Sequence, residues 1–104
     1  MNNFFSILYI MKIYKLVNTE TGQCYIGQTT QDIAVRKGQH KYSALNDIRP
    51  CSSKHLYTNC SDMKNIKIEL LEELSTNSKV LGEIRERFYI NKFNDTSVNE
   101  KLRD

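Results

Sequence analysis

Five residues carry side chains whose types could do chemistry: two tyrosines, an arginine, a histidine and a glutamate. They are Tyr14, Tyr25, Arg36, His40 and Glu86. Hydroxyl and imidazole groups transfer protons, a guanidinium binds anions, and a carboxylate binds cations. Each also has an ordinary structural interpretation, because tyrosines commonly pack in small sheets and polar helix residues commonly face solvent. A chemical function must therefore be argued from the five residues together.

Other common active-site patterns are missing from the sequence. It has no nucleophile elbow, no P-loop and no glycine-rich dinucleotide-binding motif. The three cysteines, Cys24, Cys51 and Cys60, lack zinc-ligand spacing, and the two histidines are not placed to complete a metal site. We expect free thiols, as in a reducing intracellular compartment such as the cytoplasm or nucleus.

Two short segments rich in β-branched and aromatic residues predict an antiparallel hairpin. These segments are residues 13–17 and 24–26, and the stretch between them contains turn formers, including a glycine. Side chains alternate between the two faces of a strand. Tyr14 therefore points away from Ile13, and Tyr14 and Tyr25 can share one face.

Two helices follow the hairpin in the predicted order of elements. Asp32 is a candidate N-cap for a helix that reaches Asn46. Pro50 separates this helix from a shorter one that begins at Ser52 or Ser53.

A third strand and a last helix complete the predicted fold. Residues 66–70 alternate between apolar and polar side chains, and Ser75 or Thr76 then caps a helix that reaches Phe93. The order ββααβα predicts an α/β (α+β) fold, in which a small three-stranded antiparallel sheet is flanked by helices.

Both long helices have an apolar stripe that we expect to be buried. In the first helix the stripe consists of Ala34, Val35, Gly38, Tyr42 and Leu45. Arg36, His40 and Ser43 occupy its opposite face. In the last helix the stripe consists of Val80, Leu81, Ile84 and Phe88.

Glu86 lies on a second apolar stripe of the last helix, with Tyr89, Ile90 and Phe93. Burying an unpaired carboxylate is costly. Glu86 therefore either reaches solvent at the boundary of a packed surface or is held there for a purpose.

Positive charge is concentrated in the middle of the chain. The net charge at pH 7 is only +3, but residues 33–64 hold six basic residues against two aspartates. The basic residues are Arg36, Lys37, Lys41, Arg49, Lys54 and Lys64. Such a patch suits a polyanionic partner, and a solvated face of mixed charge is the alternative.

The length and composition limit the class of protein. A chain of 104 residues is one domain, and 39% hydrophobic with 26% charged residues excludes disordered and repeat architectures. The apolar segment Phe4–Ile10 is shorter than the roughly 20 residues that span a bilayer, and it does not resemble a signal peptide, so we expect no membrane association.

We divide the chain into an N-terminal extension, residues 1–11, and a functional domain, residues 12–104. Ten each of Asn, Ile and Lys are typical of an AT-rich genome, such as that of a virus or mobile element.

Taken in order, the candidate residues resemble the motifs of the GIY-YIG endonuclease superfamily. Residues 12–14 (KIY) and 25–27 (YIG) are similar to its paired motif, with Lys12 in place of the first glycine. The remaining matches are Arg36, His40, Glu86 and Asn99. Each motif is weak alone, but five in register over residues 12–102 are specific.

The resemblance implies hydrolysis of phosphodiester bonds in DNA with one divalent ion, Mg²⁺ or Mn²⁺. Glu86 would be the protein ligand of that ion, and Arg36 would bind a phosphate oxygen and stabilise its charge. Tyr25 would position the nucleophile or the scissile phosphate. Asn99 would hydrogen-bond near the site and hold it together.

The resemblance also implies that Tyr14 and His40 handle the proton of the attacking water. A tyrosine with a pKa near 10 is a poor base at pH 7 unless cations lower its pKa, whereas a histidine is suited to the task. We therefore assign His40 as the final proton acceptor and Tyr14 as the group that orients the water. The reverse assignment stays open.

The DNA partner would be held by lysine and histidine side chains outside this set. Lys37, Lys41, Lys54 and His55 are candidate phosphate contacts. The sequence contains no zinc finger or helix-turn-helix that would read bases. This favours relaxed or structure-based specificity, a homodimer, or a separate specificity subunit.

Two other functions are consistent with the same sequence. The fold could be retained as a catalytically inactive nucleic-acid-binding module, which would bind DNA without cutting it. A small protein that only assembles with another protein is the third possibility, and it would show no affinity for DNA.

Overall fold

The computed structural model describes residues 9–46, 52–76 and 78–99. Its strands are β1 (Tyr9–Asn18), β2 (Cys24–Thr29) and β3 (Ile66–Thr76), and its helices are α1 (Ile33–Asn46), α2 (Lys54–Thr58) and α3 (Lys79–Lys92). A short 3₁₀ turn, Met63–Asn65, precedes β3. The strands form one antiparallel sheet in the order β2-β1-β3, so the predicted ββααβα fold is confirmed.

The predicted hairpin is formed by β1 and β2. Its turn needs Gly22, whose φ of 80° lies in the left-handed region that favours glycine. Asn18 stabilises the turn, because its side-chain oxygen accepts a hydrogen bond of 2.8 Å from the amide of Glu20. Strand β1 begins at Tyr9, three residues before the proposed domain start at Lys12. The boundary itself stays a prediction, since residues 1–8 lie outside the described part.

Strand β3 is longer than its sequence pattern indicates. The predicted strand ended at Leu70, but β3 pairs with β1 as far as Thr76. The register shifts between Ile13 and Tyr14, which pair with Glu72 and Leu70 respectively, so Leu71 bulges out of the ladder. The bulge breaks the alternation in the sequence. The last helix therefore begins at Lys79, later than a cap at Ser75 or Thr76 would place it.

The two faces of the sheet bury two separate cores, as the alternation in β1 predicts. On one face, Tyr14 and Leu16 pack with residues of α1 and α2. On the other face, Ile13 of β1 and Ile26 of β2 pack against the Tyr89 side of α3. The sheet thus separates α1 and α2 from α3.

The buried face of α1 is opposite to the predicted one. Val35, Tyr42 and Leu45 of the predicted stripe are 51–61% exposed, whereas His40 is 3% exposed. The inner face of α1 is polar because the helix covers the hydroxyl group of Tyr14. A polar residue that hydrogen-bonds to this hydroxyl, His40, therefore lies on the inner face.

The buried face of α3 was also wrongly predicted. Val80, Ile84 and Phe88 are exposed, and the stripe that contains Glu86 faces the sheet instead. Gly82 explains this choice. It is buried, and a Cβ there would lie too close to the end of the Gln28 side chain and tightly against Met11, so the glycine favours close approach of this face to the sheet.

Candidate active site

Tyr14, Tyr25 and His40 form a polar and aromatic cluster between the sheet and α1. The hydroxyl oxygen of Tyr14 lies 2.6 Å from Nε2 of His40, and both residues are buried. The ring of Tyr25 lies against both, with centroid distances of 6.5 Å to Tyr14 and 5.2 Å to His40. The predicted common face of the two tyrosines is therefore confirmed.

The glycine of the second motif makes room for this cluster. Gly27 is the partner of Tyr14 in the β1–β2 register. A side chain at Gly27 would collide with the ring and hydroxyl of Tyr14. Glycine is thus required because the tyrosine side chain crosses the backbone of the neighbouring strand.

His40 makes a second contact, through its other ring nitrogen. Nδ1 of His40 lies 2.8 Å from Oγ of Ser53, a residue that is 2% exposed. Tyr14, His40 and Ser53 therefore form a buried chain of hydrogen bonds. Sequence reasoning missed the side chain of Ser53, which it considered only as the start of a helix.

His40 is neutral at physiological pH in this environment. Burial, and to a smaller extent the positive charge of Arg36, lowers the pKa of His40 to about 4 from its ordinary value of 6.5. The neutral imidazole has a free nitrogen that can accept a proton. The same shift makes it a weaker base than an ordinary histidine, whose pKa lies closer to pH 7.

We expect an NMR titration of the metal-free protein to show His40 protonating near pH 4. The imidazole signals should stay those of the neutral ring as the pH falls from 8 to 5. Because the unfolded chain takes up this proton near pH 6.5, stability against urea should also fall between about pH 6.5 and pH 4. A midpoint for His40 between pH 6 and 7 would contradict the buried, neutral base.

Glu86 projects from α3 towards the edge of the sheet formed by β2. Its Oε1 accepts a hydrogen bond of 2.8 Å from Nε2 of Gln28, the residue after Gly27. Burial raises the pKa of the Glu86 carboxyl, and the hydrogen bond from Gln28 opposes this effect. Glu86 is thus half-buried, and the hydrogen bond from Gln28 holds its carboxylate in place at the cavity edge.

Asn99 ties the segment after α3 to the outer edge of β2. Its Oδ1 accepts a hydrogen bond from the amide of Ile26, and its Nδ2 donates to the carbonyl of the same residue, both at 2.8 Å. Beside it, backbone hydrogen bonds join Cys24 to Thr96 and Val98. This part of the edge is therefore paired rather than open.

A cavity of about 300 Å³ lies at this edge. Its lining includes Tyr25, Ser52, Glu86, Arg87 and Asn99. Tyr25 points to one face of the sheet, and Glu86 lies on α3, which packs against the other face. Both line the same cavity because β2 is the edge strand. The structure thus brings together five predicted residues: Tyr25, Glu86 and Asn99 line the cavity, and Tyr14 and His40 pack behind Tyr25.

The remaining predicted residues lie on α1 and α2. Arg36 is half-buried, and its guanidinium donates a 3.0 Å hydrogen bond to Oε1 of Gln39. Its charge nevertheless acts on His40. Lys37 and Lys54 are half-buried, while Lys41 and His55 are exposed. These four residues of α1 and α2, the basic surface, are not among the tyrosine and histidine side chains of the cluster.

Within residues 9–46, 52–76 and 78–99 there is no group of three or more His, Cys, Asp or Glu side chains that could enclose a metal ion. None of the helices in these ranges is long and apolar enough to cross a bilayer. Cys24 and Cys60 are free thiols, and Cys51 lies outside the described residues.

The family model of the GIY-YIG catalytic domain matches residues 8–101, and the chain belongs to this family. The resemblance seen in the motifs is thereby confirmed. The protein is a nuclease of the GIY-YIG type, an enzyme that acts on phosphodiester bonds. Nucleases of this family generally depend on a divalent metal ion.

Two solved structures are similar to this chain. One is the catalytic domain of the homing endonuclease I-TevI, which is 22% identical, with a TM-score of 0.71 over 88% of this chain and 99% of that chain. The other is a mutant of the catalytic domain of the intron endonuclease I-TevI, at 21% identity and a TM-score of 0.65 over 82% and 84% of the two chains. At these identities the likeness shows the fold. No curated protein sequence matches the chain significantly.

Proposed function

We propose that this nuclease hydrolyses phosphodiester bonds in DNA with one divalent metal ion, Mg²⁺ or Mn²⁺, held by Glu86. The observation that carries the proposal is the meeting of Tyr25 and Glu86 in one cavity at the β2 edge. A scissile phosphate placed there would lie between the Glu86 carboxylate, from one face of the sheet, and Tyr25, the cavity-lining member of the tyrosine–histidine cluster, from the other.

The residues around Glu86 fit such an ion. A carboxylate is a hard oxygen donor, and Mg²⁺ is commonly held by only one or two carboxylates, with water and substrate phosphate completing its shell. The hydrogen bond from Gln28 fixes the carboxylate, and the cavity leaves room for the other ligands. When bound, the ion supplies positive charge that stabilises the leaving 3′ oxygen.

Protein side chains would activate the attacking water molecule. We assign His40 as the final acceptor of the proton and Tyr14 as the hydrogen-bonded group that passes it on, since their 2.6 Å contact provides the path. Tyr25, which lines the cavity, would position the attacking water or the scissile phosphate by its hydroxyl group.

Arg36 and the basic surface would bind the DNA backbone. We propose that Arg36 turns from Gln39 to a non-bridging phosphate oxygen and stabilises the charge that builds on it. Lys37, Lys41, Lys54 and His55 would make sequence-independent, salt-dependent phosphate contacts. Asn99 would hold the cavity wall by its two hydrogen bonds to Ile26.

We expect the purified protein to nick supercoiled plasmid DNA with Mg²⁺ or Mn²⁺ and to lose this activity in EDTA. Restoring the metal in excess over EDTA should restore nicking, which separates metal removal from damage to the protein. Retarded DNA in a gel with no cleavage in any metal would instead support the inactive DNA-binding module.

A further inference from the structure

Ser53 begins helix α2 but does not use its side chain as a helix cap. Serine at this position normally accepts a hydrogen bond from an amide of the first turn. Here the backbone of Ser53 is already helical, and its side chain makes no capping hydrogen bond. The hydroxyl instead lies 2.8 Å from Nδ1 of His40. The buried Ser53 hydroxyl thus contacts the candidate base and does not cap the helix.

The two neighbours of His40 determine which of its nitrogens carries the proton. A neutral imidazole has one N–H and one unprotonated nitrogen. Tyr14 faces Nε2 and Ser53 faces Nδ1. A phenol is a stronger acid than an alkyl hydroxyl, so Tyr14 is the better donor and its O–H points at Nε2. Nδ1 then carries the hydrogen and donates it to the oxygen of Ser53.

We propose that Ser53 is a positioning residue for the nuclease reaction, because its hydroxyl oxygen accepts the Nδ1–H of His40 and keeps Nε2 unprotonated towards Tyr14. Tyr14 takes up the proton of the attacking water as its own proton passes to Nε2, while the hydrogen on Nδ1 stays in place. The resulting imidazolium donates from both nitrogens, and Ser53 accepts one of these hydrogen bonds. This role rests on the proposed function, in which His40 is the final proton acceptor.

The test compares Ser53→Ala with Ser53→Thr, which keeps the hydroxyl. The tautomer of His40 is read from imidazole ¹⁵N shifts of the metal-free protein at pH 7. We expect Nδ1–H in the wild type and the Thr variant, and a mixture of tautomers in the Ala variant. Ser53→Cys keeps the volume of the side chain with a much weaker acceptor, so it should resemble the Ala variant even if the latter folds poorly.

Plasmid cleavage provides the second measurement. Loss of a hydrogen bond to a charged group should lower kcat about 10- to 100-fold, with KM nearly unchanged, and the Thr variant should recover most of the rate. Ser75→Ala, which removes an exposed hydroxyl on β3, is the control and should cleave like the wild type.

The two measurements separate the positioning role from the nuclease function. If the wild type cleaves DNA and the Ala and Cys variants keep the Nδ1–H tautomer, the role of Ser53 is overturned and the function stands. If the wild type cleaves no DNA but the tautomer depends on Ser53, the proposed function fails and the assigned contact stands. A lower kcat with an unchanged tautomer would also overturn the positioning role.

Discussion

Replacing Glu86 by alanine should reduce metal-dependent DNA cleavage by more than about 10³-fold. This is a larger effect than the loss of one hydrogen-bond donor that stabilises a charged transition state. Glu86 is the proposed protein ligand of the metal ion, so its removal should disable the reaction and not only slow it. DNA binding should change less than about threefold, because affinity arises mainly from contacts between basic side chains and phosphates. Single-turnover cleavage and gel retardation, measured side by side, check the two parts of this expectation.

Two further variants make the Glu86 experiment specific. Glu86→Gln keeps an oxygen that can accept the hydrogen bond from Gln28, so it removes the charge with little structural change. It should be as inactive as the alanine variant. Glu73→Ala removes an exposed carboxylate on β3 and should cleave normally. Wild-type turnover in both Glu86 variants would remove the metal-ligand assignment, and a joint loss of cleavage and binding would indicate a structural role.

Replacing Arg36 by alanine should lower the cleavage rate by about 10²–10³-fold, as expected when one donor to a developing anionic charge is lost. Arg36→Lys should recover only part of the rate, since an ammonium group lacks the planar pair of donors that matches a phosphate. Because the charge of Arg36 lowers the pKa of His40, the alanine variant should also show a higher His40 pKa by NMR.

The matched control for Arg36 is a basic residue outside the proposed DNA surface. Lys79 is exposed at the start of α3, on the other side of the sheet from α1, and Lys79→Ala should leave the rate unchanged. If Arg36→Ala changes the cleavage rate by less than about threefold, Arg36 is only a surface residue. Such a change is well below that expected when a donor to the transition state is lost.

The sequence predicted the fold because its signals are local. The hairpin, the cap at Asp32 and the order of elements depend on residues that are close in the chain. The end of β3 could not be predicted, because the bulge at Leu71 is defined by pairing with β1. Local signals therefore located the elements but not every boundary.

The buried faces of the helices required long-range information. Each long helix offers two stripes, and hydrophobicity favoured the wrong one in both. The partner surface decides between them: the hydroxyl of Tyr14 selects the His40 face of α1, and Gln28 with Met11 selects the Gly82 face of α3. A glycine near the start of the helix, four residues before Glu86, was the available sequence signal for α3.

The family motifs predicted the reactive residues of the candidate site. They did not predict the hydrogen bonds that Ser53 and Gln28 make to those residues. Ser53 lies 13 residues from His40, and Gln28 lies 58 residues from Glu86. Nothing in the composition around either residue indicates its partner, because hydrogen bonds at such separations depend on the packed structure. Motifs therefore named the reactive groups, while the residues that orient them required coordinates.

The hydrogen bonds between Asn99 and Ile26 join residues that are 73 positions apart. At about 5–20 residues per second, a ribosome needs roughly 4–15 s to reach Asn99 after adding Ile26. During that interval the outer edge of β2 lacks its covering segment and is open to pairing with other chains. The wall of the cavity is incomplete for the same period. Protection of this edge and completion of the cavity wall therefore depend on the same long-range contact.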